Sequence, residues 1–222
     1  MSPSYTILHR DDTLVVVNKA PGILTVSRPG SRERCLLDDL RADGLPVSPV
    51  HRLDRSTSGI LLLCLDQDHR SEIEDLFKKR KVKKDYVAAV HGVPSTKRGT
   101  IDLPILDLGA TAKVDKKGRR AVTHYTVQKI MGRAALLQIR LDTGRHNQIR
   151  VHLAHTGHPI IGDRKYGRRD RKTTTTLPPV KRPLLHAEGL SFAHPVSGKP
   201  LSIQAPIPPD MAQFLSELDS KK

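Results

Sequence analysis

Short apolar segments followed by turn residues limit most strongly how this chain can fold. Thr13 to Asn18 (TLVVVN) is followed by the turn Lys19-Ala20-Pro21-Gly22, and Ile60 to Leu65 (ILLLCL) follows a polar stretch. Apolar runs of this length next to turns indicate buried β-strands. A transmembrane helix needs ~20 apolar residues. The sequence therefore predicts strands of a folded core and no membrane-spanning segment.

Strand and helix patterns follow one another irregularly along the rest of the chain. We predict further strands at Tyr86 to Val90 and Ala134 to Leu141, and helices beginning at Ser71 and covering Asn147 to Thr156. The sequence contains no internal repeat, and no linker divides these elements into two independent domains. This order favours a single α+β domain over residues 1–222, with a central mixed, largely antiparallel sheet.

The charge of the chain indicates the kind of partner it binds. The 38 Lys and Arg residues against 23 Asp and Glu give a formal net charge of +15, which favours a polyanion, chiefly nucleic acid or an anionic membrane. Aromatic residues are only 3% and Trp is absent, so a long stacking platform for bases is excluded. The N-terminal residues resemble no targeting peptide. We therefore expect a cytoplasmic protein whose partner is a nucleic acid and not a membrane.

Asp54 stands between two arginines just before the apolar run, in the stretch HRLDRSTSGILLL. One interpretation is a surface carboxylate that forms an ion pair with Arg52 or Arg55. The alternative is a functional carboxylate, because a nearby arginine favours the charged form. Such a carboxylate can attack an electron-poor carbon or stabilise an oxocarbenium-like sugar. Spacing alone leaves both interpretations open.

The stretch from His51 to Leu63 closely resembles the catalytic motif of the RluA family of RNA pseudouridine synthases. Four other blocks resemble the same family in the same order: DDTLVVVNKAPGILT (11–25), KKDYVAAVHG (83–92), LDTGRHNQIRVHLAHTGHPIIGDRKYG (141–167) and LLHAEGLSFAHPVSGK (184–199). The resemblance covers most of the chain. It implies the pseudouridine synthase fold, an isomerase activity on RNA, and neither a cofactor nor a metal.

The resemblance also implies roles for individual residues. Asp54 corresponds to the catalytic aspartate, Tyr86 to the tyrosine that lies against the target base, and Arg145 to the arginine that pairs with the aspartate. Arg52 is our candidate for filling the gap left by a flipped-out base. We expect the three catalytic residues to meet in one cleft with basic loops around its rim.

Further RNA contacts are predicted around these residues. Asn147 stands where the family often has histidine, and we expect a changed contact there without loss of chemistry. A basic loop from Arg168 to Pro183 is expected to clamp RNA phosphates. The other predicted RNA-binding residues are His51, Arg55, Gln148, Arg150, Arg168, Arg169, Arg171 and Lys172.

The resemblance implies a catalytic domain without the N-terminal RNA-binding module found in many family members. We expect a monomer that acts on a stem-loop in ribosomal or transfer RNA. Two other functions stay open from the residues alone: a catalytically silent RNA-binding module of the same fold, and a metal-dependent nuclease. The spacing of His152, His155 and His158 also leaves a metal site as an alternative.

Overall fold

The structure of the protein, a computed structural model, describes residues 3–27, 30–167 and 177–219. Within these residues lie twelve β-strands, four α-helices and a short 3-10 helix. The strands are β1 Tyr5–Arg10, β2 Leu14–Lys19, β3 Ser48–Pro49, β4 Ser58–Cys64, β5 Lys83–His91, β6 Arg98–Asp102, β7 Ile105–Asp107, β8 Ala112–Val114, β9 Val122–Met131, β10 Ala134–Leu141, β11 Leu185–Ala193 and β12 Pro200–Gln204. The helices are α1 Leu36–Ala42, α2 Arg70–Lys78, α3 Gln148–His155 and α4 Pro209–Asp219, with the 3-10 helix at Gln67–His69.

Ten of the described strands belong to one large sheet, and β7 and β8 form a separate two-stranded sheet. The few helices do not alternate regularly with the strands. The predicted α+β class with a large mixed sheet is therefore confirmed. In the part of the chain that the structure describes, no helix is both long enough and apolar enough to cross a membrane.

The described residues form two compact units. The first unit contains residues of 1–84 and 187–206, and the second contains residues of 85–186 and 207–222. Strands β5 and β11 each begin in one unit and end in the other. That the whole chain is one catalytic domain stays a prediction.

The first unit is built on the strands β1-β2-β4-β11, with β12 next to β11 and β3 next to β4. All seven residues of β4 are buried. Leu62 of β4 and Val16 of β2 pack with Ile73 and Leu76 of α2 in one apolar cluster. This packing confirms the predicted buried strands and fixes the place at which β4 begins, a few residues after Asp54.

The second unit is built on the strands β5-β10-β9-β6, with one helix on each face. Leu137 and Ile139 of β10 pack with Ile149 of α3. Val87 of β5 packs with Phe214 of α4 on the opposite face. The alternation of inward-facing residues along these strands is what the sheet geometry requires.

The β7–β8 hairpin packs beside α3. Ile105, Ala112 and Ala121 form a small buried cluster with Val151 of α3, and Tyr166 lies against it. The sequence did not predict this hairpin, because its strands have only three residues each and leave too short a pattern to detect.

Candidate active site

Asp54 lies in a tight turn that leads into β4. Its backbone carbonyl accepts a hydrogen bond from the Thr57 N–H at 3.1 Å. One buried hydroxyl, that of Thr25, forms hydrogen bonds with both the N–H and the carbonyl of the preceding residue, Leu53. Thr25 Oγ1 donates to the Leu53 carbonyl at 3.0 Å and accepts from the Leu53 N–H at 3.2 Å. The backbone before Asp54 is therefore fixed by a segment almost thirty residues away.

The residue after Asp54 is held by a buried lysine. Lys19 has no exposed surface, and its ammonium group donates to the carbonyls of Ala20 at 2.9 Å, Ile23 at 3.0 Å and Arg55 at 3.3 Å. The Gly22 N–H donates to the same Arg55 carbonyl at 2.8 Å. A buried ammonium needs such acceptors, because burying an unpaired charge is very unfavourable. Lys19 and Thr25 thus secure the two ends of the Asp54 turn.

Sequence reasoning missed both supports. The sequence pattern places Lys19 in a turn and does not distinguish Thr25. A signal for both residues lies in the first block of family resemblance, which contains them, and for Lys19 also in its position at the end of a strand whose first four residues are apolar.

Gly59 allows β4 to begin close to its neighbouring strand. It has a φ of +110°, which side-chain-bearing residues rarely adopt. A Cβ atom at this position would lie 2.2 Å from the carbonyl oxygen of Ala187 on β11. The glycine in the motif is therefore required by the approach of two backbones.

Beyond the end of β3, the side chain of His51 replaces the strand as the hydrogen-bond partner of β4. Its Nε2 accepts a hydrogen bond from the Leu62 N–H at 2.9 Å, so the ring is neutral with its proton on Nδ1. The ring stacks on Phe77 with centroids 4.5 Å apart. Burial, and secondarily the charge of Lys84, lower the pKa of His51 to about 3.

This lowered pKa predicts a pH-dependent stability. Between pH ~6.5, the ordinary histidine pKa, and pH ~3, the unfolded chain binds a proton at His51 that the folded protein does not. Stability should therefore fall as pH falls through this window. In His51→Gln, whose amide oxygen can still accept from Leu62, urea unfolding should show a weaker dependence on pH. The exposed His155→Gln is the control, and equal pH dependence in His51→Gln and wild type would contradict the assignment.

The two arginines beside Asp54 have different environments. Arg55 forms an ion pair with Glu33. Arg52 is exposed and makes no ion pair or side-chain hydrogen bond with the described residues. Of the two, Arg52 is better placed to bind an external anion.

Tyr86 and Arg145 lie in the second unit. Tyr86 is half-buried on β5 opposite Ile139 of β10 and packs against the cluster beneath α3. Arg145 is half-buried in the loop before α3, and its Nε donates to the carbonyl of Arg120 at 3.0 Å. A backbone contact of this kind helps to orient the guanidinium.

Gln148 organises the loop that carries Arg145. Its side chain is buried: Oε1 accepts from the Arg145 N–H at 3.0 Å and from the Thr143 hydroxyl at 2.8 Å. Its Nε2 donates to the Val122 carbonyl at 2.9 Å and to the Thr123 hydroxyl at 3.0 Å. All four bonds stay inside the protein.

Asn147 and Arg150 belong to a second buried network. Arg150 pairs with Asp163 through two bonds, of 2.7 and 2.9 Å, and donates to Asn147 Oδ1 at 2.8 Å. Asn147 has a left-handed φ of +53° and donates to the Tyr166 hydroxyl at 2.8 Å. Asparagine adopts this backbone conformation more readily than most residues.

Four of the predicted RNA-binding residues make hydrogen bonds inside the protein. The side-chain polar groups of Asn147, Gln148 and Arg150 have internal partners, and His51 Nε2 accepts from the Leu62 N–H. We propose structural roles for these residues, and their RNA contacts stay a prediction. Arg168, Arg169, Arg171 and Lys172, the predicted RNA clamp, lie outside the described residues. In the described end of that basic loop, Arg182 pairs with Asp210 at 2.6 and 2.9 Å.

Two of the three histidines near α3, His152 and His158, make hydrogen bonds inside the protein, and His155 is exposed. His152 is fully buried between the Thr123 hydroxyl and the Leu103 carbonyl, each at 2.9 Å. His158 Nδ1 lies 3.2 Å from the His91 carbonyl. Among residues 3–27, 30–167 and 177–219, no three His, Cys, Asp or Glu side chains come together in an arrangement suited to a metal ion.

Comparison with known proteins agrees with this arrangement. Residues 13–155 match the family model for RNA pseudouridylate synthase. Ribosomal large subunit pseudouridine synthase C of Buchnera aphidicola is 33% identical over 220 residues, which is 96% of this chain and 70% of that protein. Ribosomal large subunit pseudouridine synthase D of Xanthomonas campestris is 36% identical, over 96% of this chain and 69% of that protein.

A solved structure extends the match to the fold. Human RNA Pseudouridylate Synthase Domain Containing 4 superposes with a TM-score of 0.78 at 27% identity, over 96% of this chain and 92% of that chain. The sequence blocks, the sheet and these relatives agree from one end of the described chain to the other. The chain therefore belongs to the RNA pseudouridylate synthase family, in its RluA branch, and is an isomerase that converts uridine in RNA to pseudouridine.

Proposed function

We propose that this enzyme modifies specific uridines in structured RNA, with Asp54 as the catalytic carboxylate and with the target base flipped out of its stack. The observation that carries the proposal is the support of the Asp54 turn, by Thr25 before it and Lys19 after it. A rigid backbone on both sides of one carboxylate is what a catalytic group needs, because misplaced groups lose rate steeply.

The chemistry fits a single carboxylate. The bond between ribose C1′ and uracil N1 breaks, uracil turns, and a new bond forms between C1′ and C5. N1 gains a hydrogen and C5 loses one, so the reaction is balanced without an oxidant or an imported group. Asp54 either attacks the sugar or stabilises its positive charge during this exchange.

Tyr86 and Arg145 are proposed to act on the same uridine. The Tyr86 ring is proposed to lie against the uracil, with its hydroxyl taking part in removal of the C5 proton. Arg145 is proposed to pair with the Asp54 carboxylate. Its support by the Arg120 carbonyl and by Gln148 suits a positioning role better than a loose phosphate contact.

Base flipping leaves a gap in the RNA stack, and unstacking is least unfavourable in loops and distorted stems. We propose that the exposed Arg52 fills this gap. Because the relatives named above are ribosomal large subunit pseudouridine synthases, large-subunit ribosomal RNA is the first candidate substrate, and transfer RNA is the second. We further propose a monomer that works in the cytoplasm with its RNA.

The substrate can be identified by mapping pseudouridines in total RNA from cells with and without the gene. We expect one or a few uridines of large-subunit ribosomal RNA to lose the modification when the gene is deleted and to regain it with the wild-type gene. Loss confined to transfer RNA would move the substrate to the second candidate. An unchanged map in both RNAs would contradict the proposed substrates.

Changing Tyr86 to Phe removes one hydroxyl and keeps the ring. If the hydroxyl takes part in proton transfer, the single-turnover rate should fall by ~10²–10⁴-fold with RNA affinity unchanged. Tyr125→Phe is a matched control, because Tyr125 packs on the same cluster and bonds Thr96 at 3.1 Å. A Tyr86→Phe rate close to that of the control would show that the ring only packs against the base.

A further inference from the structure

The β7–β8 hairpin has an exposed apolar tip that the proposed catalytic chemistry does not use. Leu108, at the turn between the strands, is 53% exposed. Single exposed apolar residues are ordinary on protein surfaces. This one differs because of the bonds that hold it and the charges that surround it.

The tip is held firmly in its conformation. The Leu108 N–H donates to the Thr111 carbonyl at 2.8 Å, and the Gly109 N–H donates to Asp107 Oδ1 at 2.9 Å. The Lys165 ammonium donates to the carbonyl of Ala110. These hydrogen bonds fix the backbone of the turn, so the Leu108 side chain stays exposed to solvent.

The same hairpin is tied to the loop that carries Arg145. The His146 imidazole donates from Nδ1 to Asp107 Oδ1 at 2.9 Å, and its Nε2 accepts from Asn147 at 3.0 Å. The Tyr166 hydroxyl accepts from the Ala112 N–H at 2.9 Å and from Asn147 at 2.8 Å. A molecule that binds the tip is therefore connected, through these hydrogen bonds, to His146, the residue next to Arg145.

Positive charge surrounds the base of the hairpin. Lys116, Lys117 and Arg119 on the following turn are exposed, as is Arg164 beside Tyr166. None of these four has an ion-pair partner among the described residues. The three residues of β7 separate tip from base by roughly 10 Å, about the length of three stacked nucleotides.

We propose that the β7–β8 hairpin is a second RNA-binding surface, in which Leu108 packs against an unpaired base near the target uridine while Lys116, Lys117 and Arg119 contact phosphates of the same strand. The inference rests on the proposed function, since it takes RNA as the partner. Apolar side chains can wedge against bases and unstack them. Unneutralised cations beside an apolar tip complement a polyanion better than they complement an apolar protein surface.

Two variants of the full-length protein test the two halves of the surface. The probes are an unmodified transcript of bacterial large-subunit ribosomal RNA and a fully paired RNA duplex. Leu108→Ser should weaken binding to the transcript roughly fivefold and leave binding to the duplex unchanged. Lys116→Gln/Lys117→Gln should weaken binding to both and reduce the slope of log K against log salt by roughly 1.5, at ~0.7–0.9 per phosphate contact.

Matched controls separate these effects from general surface changes. Ile130→Ser removes an apolar side chain that is also 53% exposed in the same unit, and Lys78→Gln/Lys79→Gln removes two charges at the C-terminal end of α2. The proposal is overturned if the hairpin variants bind both probes as these controls do. A protein partner for the tip would give that result.

Failure of this inference and failure of the proposed function give different results. If wild type forms pseudouridine and the hairpin variants match the controls, only the hairpin surface is wrong. The hairpin variants could instead lose binding as expected while wild type modifies no uridine in ribosomal or transfer RNA. That result would support the binding surface and contradict the proposed substrates.

Discussion

Replacing Asp54 by asparagine should abolish pseudouridine formation while leaving RNA affinity nearly intact. The amide has the size of the carboxylate, but it can neither attack the ribose carbon nor balance its positive charge. The rate should fall on the order of 10⁴-fold or more, the loss seen when a covalent nucleophile is removed. Single-turnover rates at saturating RNA and a separate binding isotherm measure the two quantities.

The surroundings of Asp54 make this substitution a clean test. The turn is held through backbone groups, by Thr25 on Leu53 and by Lys19 on Arg55, so asparagine keeps these supports. Asp68→Asn, at an exposed carboxylate near the other end of β4, is the matched control and should keep full activity. Substantial turnover by Asp54→Asn would remove this residue from the catalytic role.

Replacing Arg150 by methionine should destabilise the second unit by about 3–5 kcal/mol, the usual loss when one member of a buried ion pair is removed. The Asp163 side chain is completely buried. Besides the two bonds from Arg150, its Oδ1 accepts from the backbone N–H groups of Lys165 and Tyr166. Without Arg150, the buried carboxylate loses the cation that pairs with it. Urea unfolding measures the change.

A double variant tests that explanation. Arg150→Met/Asp163→Asn removes the unpaired charge and keeps an acceptor for the two backbone N–H groups, so it should recover part of the lost stability. The control is Arg140→Met, which breaks the more exposed pair with Asp85 at 2.8 Å and should change stability by less than ~1 kcal/mol. A double variant less stable than Arg150→Met would contradict the account.

The parts of the fold that sequence predicts are those fixed by local pattern. Apolar runs predicted β2 and β4, and the pattern around Leu137, Ile139 and Leu141 predicted a strand over Ala134 to Leu141, the range that the structure confirms. The β7–β8 hairpin was missed because its stability comes from α3 and Tyr166, far away in the sequence. No local pattern encodes such contacts.

The candidate site divides in the same way. The family motifs pointed to Asp54, Tyr86 and Arg145. The roles of Arg150 and Gln148 could not be predicted, because a buried arginine and an RNA-binding arginine look alike until the partner is known. Asp163 lies thirteen residues from Arg150, and the Val122 carbonyl lies twenty-six residues from Gln148. Polar residues in a motif are therefore weak indicators of ligand contact until their burial is known.

The release of tritium from RNA that carries tritium at C5 of uridine tests the central claim most directly, because the bond from C5 to the ribose replaces the bond from C5 to hydrogen. The account predicts that wild type releases a constant number of tritium atoms per molecule of unmodified large-subunit ribosomal RNA. Asp68→Asn should release the same number, and Asp54→Asn should release none although it binds the RNA. Equal release by Asp54→Asn and wild type, or no release by wild type from ribosomal or transfer RNA, would contradict it.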